Sequence, residues 1–351
     1  MTEVKTESLK TDLKFPSFSV VYETENLASV ELENIYHSLA SLAAQDISPE
    51  QANEILIIDS GHAPPKAIEQ LCSMYPWITV RQVPGIGYHE AKMMGATLTT
   101  GEILLMCDSD CVYESGWLRN MLTPFAQNPD IDIVGGETST PVRNPYELAI
   151  AINFFFPRFS RQKELYESND YYLNNVAFRR DFLLQHPLPC NLPLYRGNCH
   201  LHGYYLQKLQ GVKIWRHPQA RATHEPPQIS LTFFWRYLLY GHDQVVKKRL
   251  KLLLKEDQDL SGYSKLSVDL NQTSFQKICS IASEFVWTFN PRRRKRRIMS
   301  VLREDPSRLI SFPISFLIIL WFDLLYLIGS TITYCLESDL LLDLYNQAEI
   351  D

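Results

Sequence analysis

Several familiar signatures are missing from this sequence. Its seven cysteines are scattered, with no C-x-x-C pair and no repeated spacing. This argues against a zinc cluster or a disulfide framework and fits a reducing compartment. Basic residues are not in excess: 34 Lys and Arg face 40 Asp and Glu, a formal net charge of −6, which argues against nucleic acid as the main partner. The opening MTEVKTESLKTDLKFPSF has no apolar core of signal-peptide length, so export of the main body is not expected. There is no internal repeat and no low-complexity tract. A composition of 45% apolar and 21% charged residues excludes a disordered or collagen-like chain, and 351 residues suffice for one large α/β domain with extra elements or for two small domains.

What is present starts with EILLMCDSDCVY, residues 102–113. The apolar run from Ile103 to Cys107 reads as a strand buried on both faces. Asp108 and Asp110 follow at its end. A period of two puts alternate side chains on one side, so both carboxylates are able to converge on a point where a cation would relieve their repulsion. The plainer alternative is a solvated Asp-Ser-Asp turn, and the neighbouring segments must decide.

Those segments alternate. Strands are expected at 19–22, within NEILIIDSG (53–61), at WITVRQVP (77–84) and at DIDIVGGET (130–138). Helices are expected at 30–45, with Leu32, Ile35, Leu39 and Leu42 on one face, and at 65–76, 88–100 and 116–127. The pattern predicts a mostly parallel sheet covered by helices, with ligands at the carboxyl ends of its strands. Beyond residue 140 the rhythm loosens. NNVAFRRDFLLQ (174–185) reads as strand then helix, 203–211 as helix, VKIWRHPQARATHEPP (212–227) as strand, and the aromatic then basic 230–255 as helix. That last helix either packs its aromatics on the core or lies at a membrane interface with Lys247, Lys248 and Arg249 toward headgroups.

The C-terminal end differs from the rest. The run from Leu309 to Leu336 carries one charge, Asp323. As a helix it would be about 42 Å long, more than a bilayer core requires. PRRRKRR (291–297), with Arg303 and Arg308, precedes it, a positive-inside arrangement that also attracts anionic headgroups. Pro313 and Asp323 leave a tilted, kinked or re-entrant course open.

The strand-end residues Glu23, Asp59, Asp108 and Asp110, with Lys92 and the late His224, suit an oxygen-rich divalent-cation site completed by substrate phosphates. Over roughly residues 17–245 the chain resembles the family-2 glycosyltransferases of the GT-A fold. The resemblance rests on SVVYETEN, EILIIDSG, GIGYHEAKMMGATLTTGEILLMCDSD, NNVAFRRDF and QGVKIWRHPQARATH. Its most specific part comprises Gly87, Ala91, Lys92, Gly95, Gly101, Glu102 and Asp108/Asp110. No Gly-rich nucleotide loop supports a kinase or dehydrogenase instead. The resemblance implies that Glu23 and Thr24 edge the base and ribose of a nucleotide and that Asp59 accepts a hydrogen bond from the base. It further implies that Lys92 sits near the nucleotide or diphosphate, that Asp108 touches ribose or a metal-bound water, and that Asp110 ligates the metal, completed by His224.

One departure stands out. Inverting members carry an acidic general base at the start of the helix preceding the QGVKIW segment, whereas no Asp or Glu occurs here from Phe182 to Thr223. Three explanations compete: His200 or His202 is the base, or a carboxylate such as Asp170 or Glu137 is brought in by the fold, or catalysis is lost. Arg196 would add positive charge beside the leaving diphosphate. The expectation is therefore an α/β, Rossmann-like GT-A sheet flanked by helices, with a C-terminal membrane helix. Its parts are a polar arm (1–15), the glycosyltransferase domain (16–255), a linker and basic juxtamembrane segment (256–308), a membrane helix (309–336) and an acidic tail (337–351). The expected activity is an inverting hexosyl transfer, using Mn²⁺ or Mg²⁺, from a UDP- or GDP-sugar to a glycan or lipid-linked acceptor. It would serve polysaccharide or glycolipid synthesis at the cytoplasmic membrane face, on a single-pass anchor. The rival is an inactive, binding or regulatory membrane protein of the same fold. A nucleotidyltransferase is disfavoured because YETENL offers no Gly-rich basic loop.

Overall fold

The computed structural model describes residues 13–25, 27, 33–153, 156, 158–227, 231–257, 273–336 and 340–348. Most of the expected polar arm, the centre of the expected linker (258–272) and much of the acidic tail lie outside them. The first half alternates as expected. It runs β1 (Phe18–Glu23), α1 (Glu33–Ala43), β2 (Ile55–Asp59), α2 (Pro65–Met74), β3 (Ile78–Gln82), α3 (Tyr88–Leu98), β4 (Ile103–Cys107), β5 (Cys111–Tyr113), α4 (Trp117–Gln127) and β6 (Ile133–Ser139). Then follow α5 (Pro145–Asn153), β7 (Tyr166–Ser168), β8 (Asn175–Arg179), α6 (Arg180–Gln185), α7 (Asn198–Lys208) and β9 (Ile214–His224). The C-terminal part is helical: α8 (Leu231–Asp257), α9 (Ser274–Thr288), α10 (Pro291–Glu304), α11 (Phe312–Cys335) and α12 (Leu340–Ala348).

The strands form one sheet in the order β3-β2-β1-β4-β8-β6-β9-β5, with β7 on β9. β3, β2, β1 and β4 are parallel neighbours, with Val20 opposite Ile55 and Phe18 opposite Ile103. Their apolar runs are buried throughout in β1, β2 and β4, because helices cover both faces. Alternation sorts the side chains: Val20, Tyr22, Ile103 and Leu105 pack with Ile35, Leu39, Leu42 and Trp117 on one face. Val21, Leu104 and Met106 pack with Ala96, Tyr171 and Leu206 on the other. Beyond β4 the sheet is mixed. β8 runs antiparallel to β4 and to β6, and β9 runs parallel to β6 while β5 and β7 pair with it antiparallel. The parallel half thus ends at β4, where the sequence rhythm is about to loosen.

Helices replace most of the expected juxtamembrane segment. α9 opens with a capping box, Thr273 bonding reciprocally with Gln276, and it is inside out. Its buried residues are Glu284 and Thr288, while Phe275 (75% exposed), Ile278, Phe285 and Val286 face outward. Glu284 is fully buried and takes bonds from Lys248, Tyr326 and Tyr334. The basic stretch forms α10, capped by Asn290. Arg294 reaches the one charge of α11, Asp323, at 2.6 Å. α11 is the one helix among the described residues long and apolar enough to cross a membrane. Its outer face shows Ile314, Leu317, Trp321 and Leu324. Its inner face packs on α8, where Phe322 stacks on Tyr237 at 4.0 Å.

Two glycines set how closely α8 and α11 approach. A Cβ at Gly241 would run into the Tyr326 carbonyl, and one at Gly329 into that of Leu238, while Ser330 Oγ donates to the Gly241 carbonyl at 3.1 Å. Small residues at such a crossing let helix backbones pack tightly in an apolar setting. Gly329→Val should therefore separate the pair, costing about 1–3 kcal/mol as an overpacking change. Thermal unfolding of the purified chain in mild detergent should show a lowered midpoint, whereas Leu317→Val on the outer face should leave it nearly unchanged.

Candidate functional site

The carboxyl ends of β1, β2 and β4 lie side by side, which gathers the strand-end acids on one edge of the sheet. Glu23 is fully buried there. Burial raises its carboxyl well above its ordinary value, and the nearby Lys92 charge only partly opposes this. Asp108 is tied to Lys92 Nζ at 2.7 Å and accepts from the Tyr88 hydroxyl at 3.0 Å. Lys92, fully buried on α3, also donates to the Cys107 carbonyl. Burial alone would lower its ammonium, but Asp108 and Glu23 outweigh that and hold it above its usual value. Thr24 and Asp59 form a separate clasp. Thr24 Oγ1 donates to Asp59 Oδ1 at 2.8 Å, and the Gly61 N–H reaches the same oxygen at 3.1 Å.

Asp110 points elsewhere. β5 and β9 pair antiparallel with Cys111 opposite His224, and this register lays His224 Nε2 3.3 Å from Asp110 Oδ2. His224 Nδ1 lies 2.7 Å from the Glu225 carbonyl. Since a carbonyl only accepts, that contact assigns a proton to Nδ1 and leaves Nε2 as the nitrogen that faces Asp110. Asp110, Cys111 and His224 each offer an atom within 4.8 Å of the others. Burial holds the Cys111 thiol well above its ordinary value, and a protonated thiol is a poor ligand for a hard cation. Asp110 and His224 are thus the chemically suitable pair for Mn²⁺ or Mg²⁺, and Asp108 contributes from beside them rather than at the same point.

These residues form one wall of a cavity of about 260 Å³. Arg196 and His200 line it from the start of α7, Asp243 and Lys247 from α8, Arg293, Arg294 and Arg297 from α10, and Asp323 from α11. Gly197, at φ 100°, turns the chain into α7, a conformation that favours glycine. Arg196 pairs with Glu25 at 2.7 Å and lies over the rings of Tyr88 and Tyr195. Asp243 accepts the backbone N–H of Tyr195 at 2.9 Å and of Arg196 at 2.8 Å, so it shapes the loop leading into α7.

The structure brings Asp108, Asp110, Arg196, His200 and His224 to the cavity, and it does not bring Glu23, Thr24, Asp59 or Lys92 to its surface. His202 is also placed elsewhere. It is fully buried, with Nδ1 2.6 Å from the Tyr171 hydroxyl and Nε2 2.9 Å from the His186 carbonyl. Both ring nitrogens are engaged within the protein, which leaves no lone pair for an acceptor hydroxyl. Of the alternative carboxylates, Glu137 accepts from the Ser160 N–H and the Tyr166 hydroxyl. Asp170 pairs with Arg216 at 2.8 Å and lies 3.6 Å from His200 Nδ1. Sequence reasoning missed Asp243 and the inward role of the α10 arginines. Its available clues were Asp323, the single charge of α11, and Asp243, the one acid of α8 before its terminal Glu256 and Asp257.

Residues 28–186 match the family Glycosyl transferase family 2. A glucosyl-dolichyl phosphate glucuronosyltransferase of Haloferax volcanii is 25% identical over 187 residues, half of this chain. The chain spans 58% of that relative. Two solved structures share the fold. A mannosyltransferase from Pyrobaculum calidifontis, in complex with GDP-Man and Mn²⁺, aligns at TM-score 0.53 and 16% identity, covering 92% of this chain and 87% of the other. GalNAc-T7 with UDP, GalNAc and Mn²⁺ aligns at TM-score 0.51 and 16% identity, covering 78% and 58%.

Buried imidazoles give the site a pH signature. Burial pushes His202 down to about 4, and burial followed by the Lys247 charge pushes His200 down to about 4. Each folded value lies below the unfolded value of about 6.5, so both rings are neutral in the fold near pH 7. Their linked stability is fully present above about pH 6.5 and is lost as pH falls toward 4. Denaturant unfolding at pH 7.5, 6 and 5 should show a steady decline. His202→Asn should be less stable at pH 7.5 yet decline less steeply, and an equally steep decline would place the titration elsewhere.

Proposed function

Because the chain carries a glycosyl transferase family 2 domain, we propose that it transfers a sugar from a UDP- or GDP-sugar to a lipid-linked acceptor at a membrane. The observation that carries this is the strand register that sets His224 across from Cys111 and against Asp110 on the cavity wall. Asp110 and His224 would hold a divalent cation, which when bound supplies positive charge to the departing diphosphate. Two protein ligands leave most of the coordination shell for substrate phosphates and water, as Mg²⁺-type sites do. The Mn²⁺ and nucleotide sugars present in both structural neighbours support this reading. Lys92 and Tyr88 hold the Asp108 carboxylate in place, so Asp108 presents a set edge to the cavity. His200, backed by Asp170 at 3.6 Å, is the base. Its ring is neutral near pH 7 and is placed where it takes the acceptor's proton while the sugar is transferred. Arg196, held flat between Tyr88 and Tyr195, faces the leaving group. Thr24 and Asp59 bond to each other at the ends of β1 and β2, off the cavity surface, and steady that edge of the sheet.

The expected result is nucleotide diphosphate release from wild type with Mn²⁺, and loss of release in Asp110→Ala. His224→Ala should need about 10–100-fold more Mn²⁺ to recover, as removal of metal-shell partners does. The absence of any acid between Phe182 and Thr223 favours a second reading, a binding-only protein. Metal-dependent nucleotide binding with no turnover over a panel of donors and lipid acceptors would select it.

The membrane reading rests on two helices together. The apolar outer face of α9 lies beside that of α11, and each helix turns its buried carboxylate, Glu284 and Asp323, inward. An isolated water-soluble helix has the opposite sense. The basic α10 beside them sets the domain on the cytoplasmic face by the positive-inside rule. Spin labels at Ile278 and Val286, in the full chain reconstituted in vesicles, should be accessible to oxygen and shielded from a water-soluble nickel reagent. A label at Arg292, exposed on α10, should show the reverse. Nickel access at Ile278 and Val286 would put α9 in water.

A further inference from the structure

The cavity that Asp110 and His224 line also gathers basic side chains from α8 and α10. Lys247, Arg293 and Arg297 line it, and among the described residues none of the three forms an ion pair with a carboxylate. Each is nevertheless held in place. Arg293 lies 3.6 Å over the Trp287 ring, and Arg297 donates to the carbonyls of Ile152 and Asn153 at 3.3 and 3.0 Å. Lys247 lies against the bare Cα of Gly197. Grouped cations at a partly buried surface repel one another and lack full hydration, so their assembly opposes folding unless an anion joins them. Burial, and then the charge of Arg293, push the Arg297 guanidinium down to about 10, the direction that such crowding dictates.

We propose that Lys247, Arg293 and Arg297 form a binding site for the phosphate of a phosphate-bearing lipid, the acceptor itself, in the same cavity as the donor site. This rests on the transferase reading above. Three observations point to a lipid phosphate rather than to the donor's diphosphate. The cations stand on α8 and α10, not on the β5–β9 ribbon beside Asp110 and His224. The wall that bears them is fastened to the apolar α11 by Arg294–Asp323. Trp287 both lines the cavity and is 38% exposed on α9, so apolar surface runs from the outer face to the cationic wall. Aromatic and aliphatic lining from Ile152, Phe156 and Tyr237 suits the first carbons of a lipid tail. The guanidinium groups suit phosphate oxygens.

The test uses the full chain in mild detergent and measures binding of three probes: farnesyl monophosphate, farnesol and inorganic phosphate. Binding of a nucleoside diphosphate with Mn²⁺ is followed in parallel. Arg293→Gln and Lys247→Gln should each weaken farnesyl monophosphate about tenfold or more, the loss of a charge-assisted contact. They should leave nucleotide binding within error and the unfolding midpoint unchanged or raised, and farnesol should bind weakly and equally to all forms. Unchanged farnesyl monophosphate affinity in both variants overturns the site. An equal loss of nucleotide binding overturns it too, by assigning the cations to the donor. Inorganic phosphate binding as tightly as farnesyl monophosphate overturns the lipid source. None of these arms needs turnover. A failure of the transferase reading shows instead as absent Mn²⁺-dependent nucleotide binding in wild type.

Discussion

The buried ion pair between Lys92 and Asp108 is the constraint on which the rest of the site depends. A lysine with no exposed surface is costly unless its charge is matched and its donors are used, and here Asp108, Glu23 and the Cys107 carbonyl surround it. Removing one partner of such a pair costs about 3–5 kcal/mol, because the other is left charged in a poor solvent. The pair fixes α3 against the ends of β1 and β4. It also commits Asp108 to Tyr88 and Lys92 at the cavity edge, while the chain just after β4 turns and presents Asp110 to His224. Two carboxylates one residue apart thereby acquire different tasks. One is neutralised and structural in its contacts, and the other faces a histidine and a space large enough for substrate.

The second wall of the cavity is built by elements that lie outside the alternating strand and helix pattern. α8, α10 and α11 contribute it, and side-chain bonds hold them together: Arg294 to Asp323, Asn153 to Asp323, and Ser330 to the Gly241 carbonyl. His200 sits between the two walls. Asp170 raises its basicity and Lys247 lowers it, with burial the largest influence. An anion arriving at Lys247 would offset the lysine's field and make the imidazole a better proton acceptor. Base strength would then follow acceptor binding, which limits proton transfer to the moment when an acceptor hydroxyl is present.

The sheet, its parallel half and the strand-end acids were legible in the sequence because each is written in short-range pattern. Apolar runs bounded by Asp or Gly mark β2 and β4, and helical spacing marks α1, where Ile35, Leu39 and Leu42 are all fully buried. His224 was legible as a residue following a late strand, but its partner was set by the β5–β9 register, a pairing across more than a hundred residues. His202 misled for the same reason. Three residues, H-L-H, place two imidazoles near the start of α7, and only the fold says that one faces the cavity while the other bonds Tyr171 and the His186 carbonyl. The helix expected at 203–211 begins earlier, at Asn198, behind a left-handed Gly197.

The same logic explains why α9 and α10 read as linker and juxtamembrane segment. A helix is usually found by asking which face is apolar and assigning that face to the core. In α9 the apolar face points out and a fully buried Glu284 points in, where Lys248, Tyr326 and Tyr334 satisfy it. A buried glutamate on a helix whose Phe275, Ile278, Phe285 and Val286 are exposed is strained in water, since it buries charge and displays apolar surface together. Both costs change sign when the outer medium is hydrocarbon: the exposed apolar face becomes favourable, and the polar side chains must turn inward to find partners. Asp323 on α11 obeys the same rule by turning inward to Arg294. The lone charge that interrupts the apolar C-terminal run is therefore what ties the basic helix, and with it the cationic wall of the cavity, to the helix that carries the apolar outer surface of the molecule.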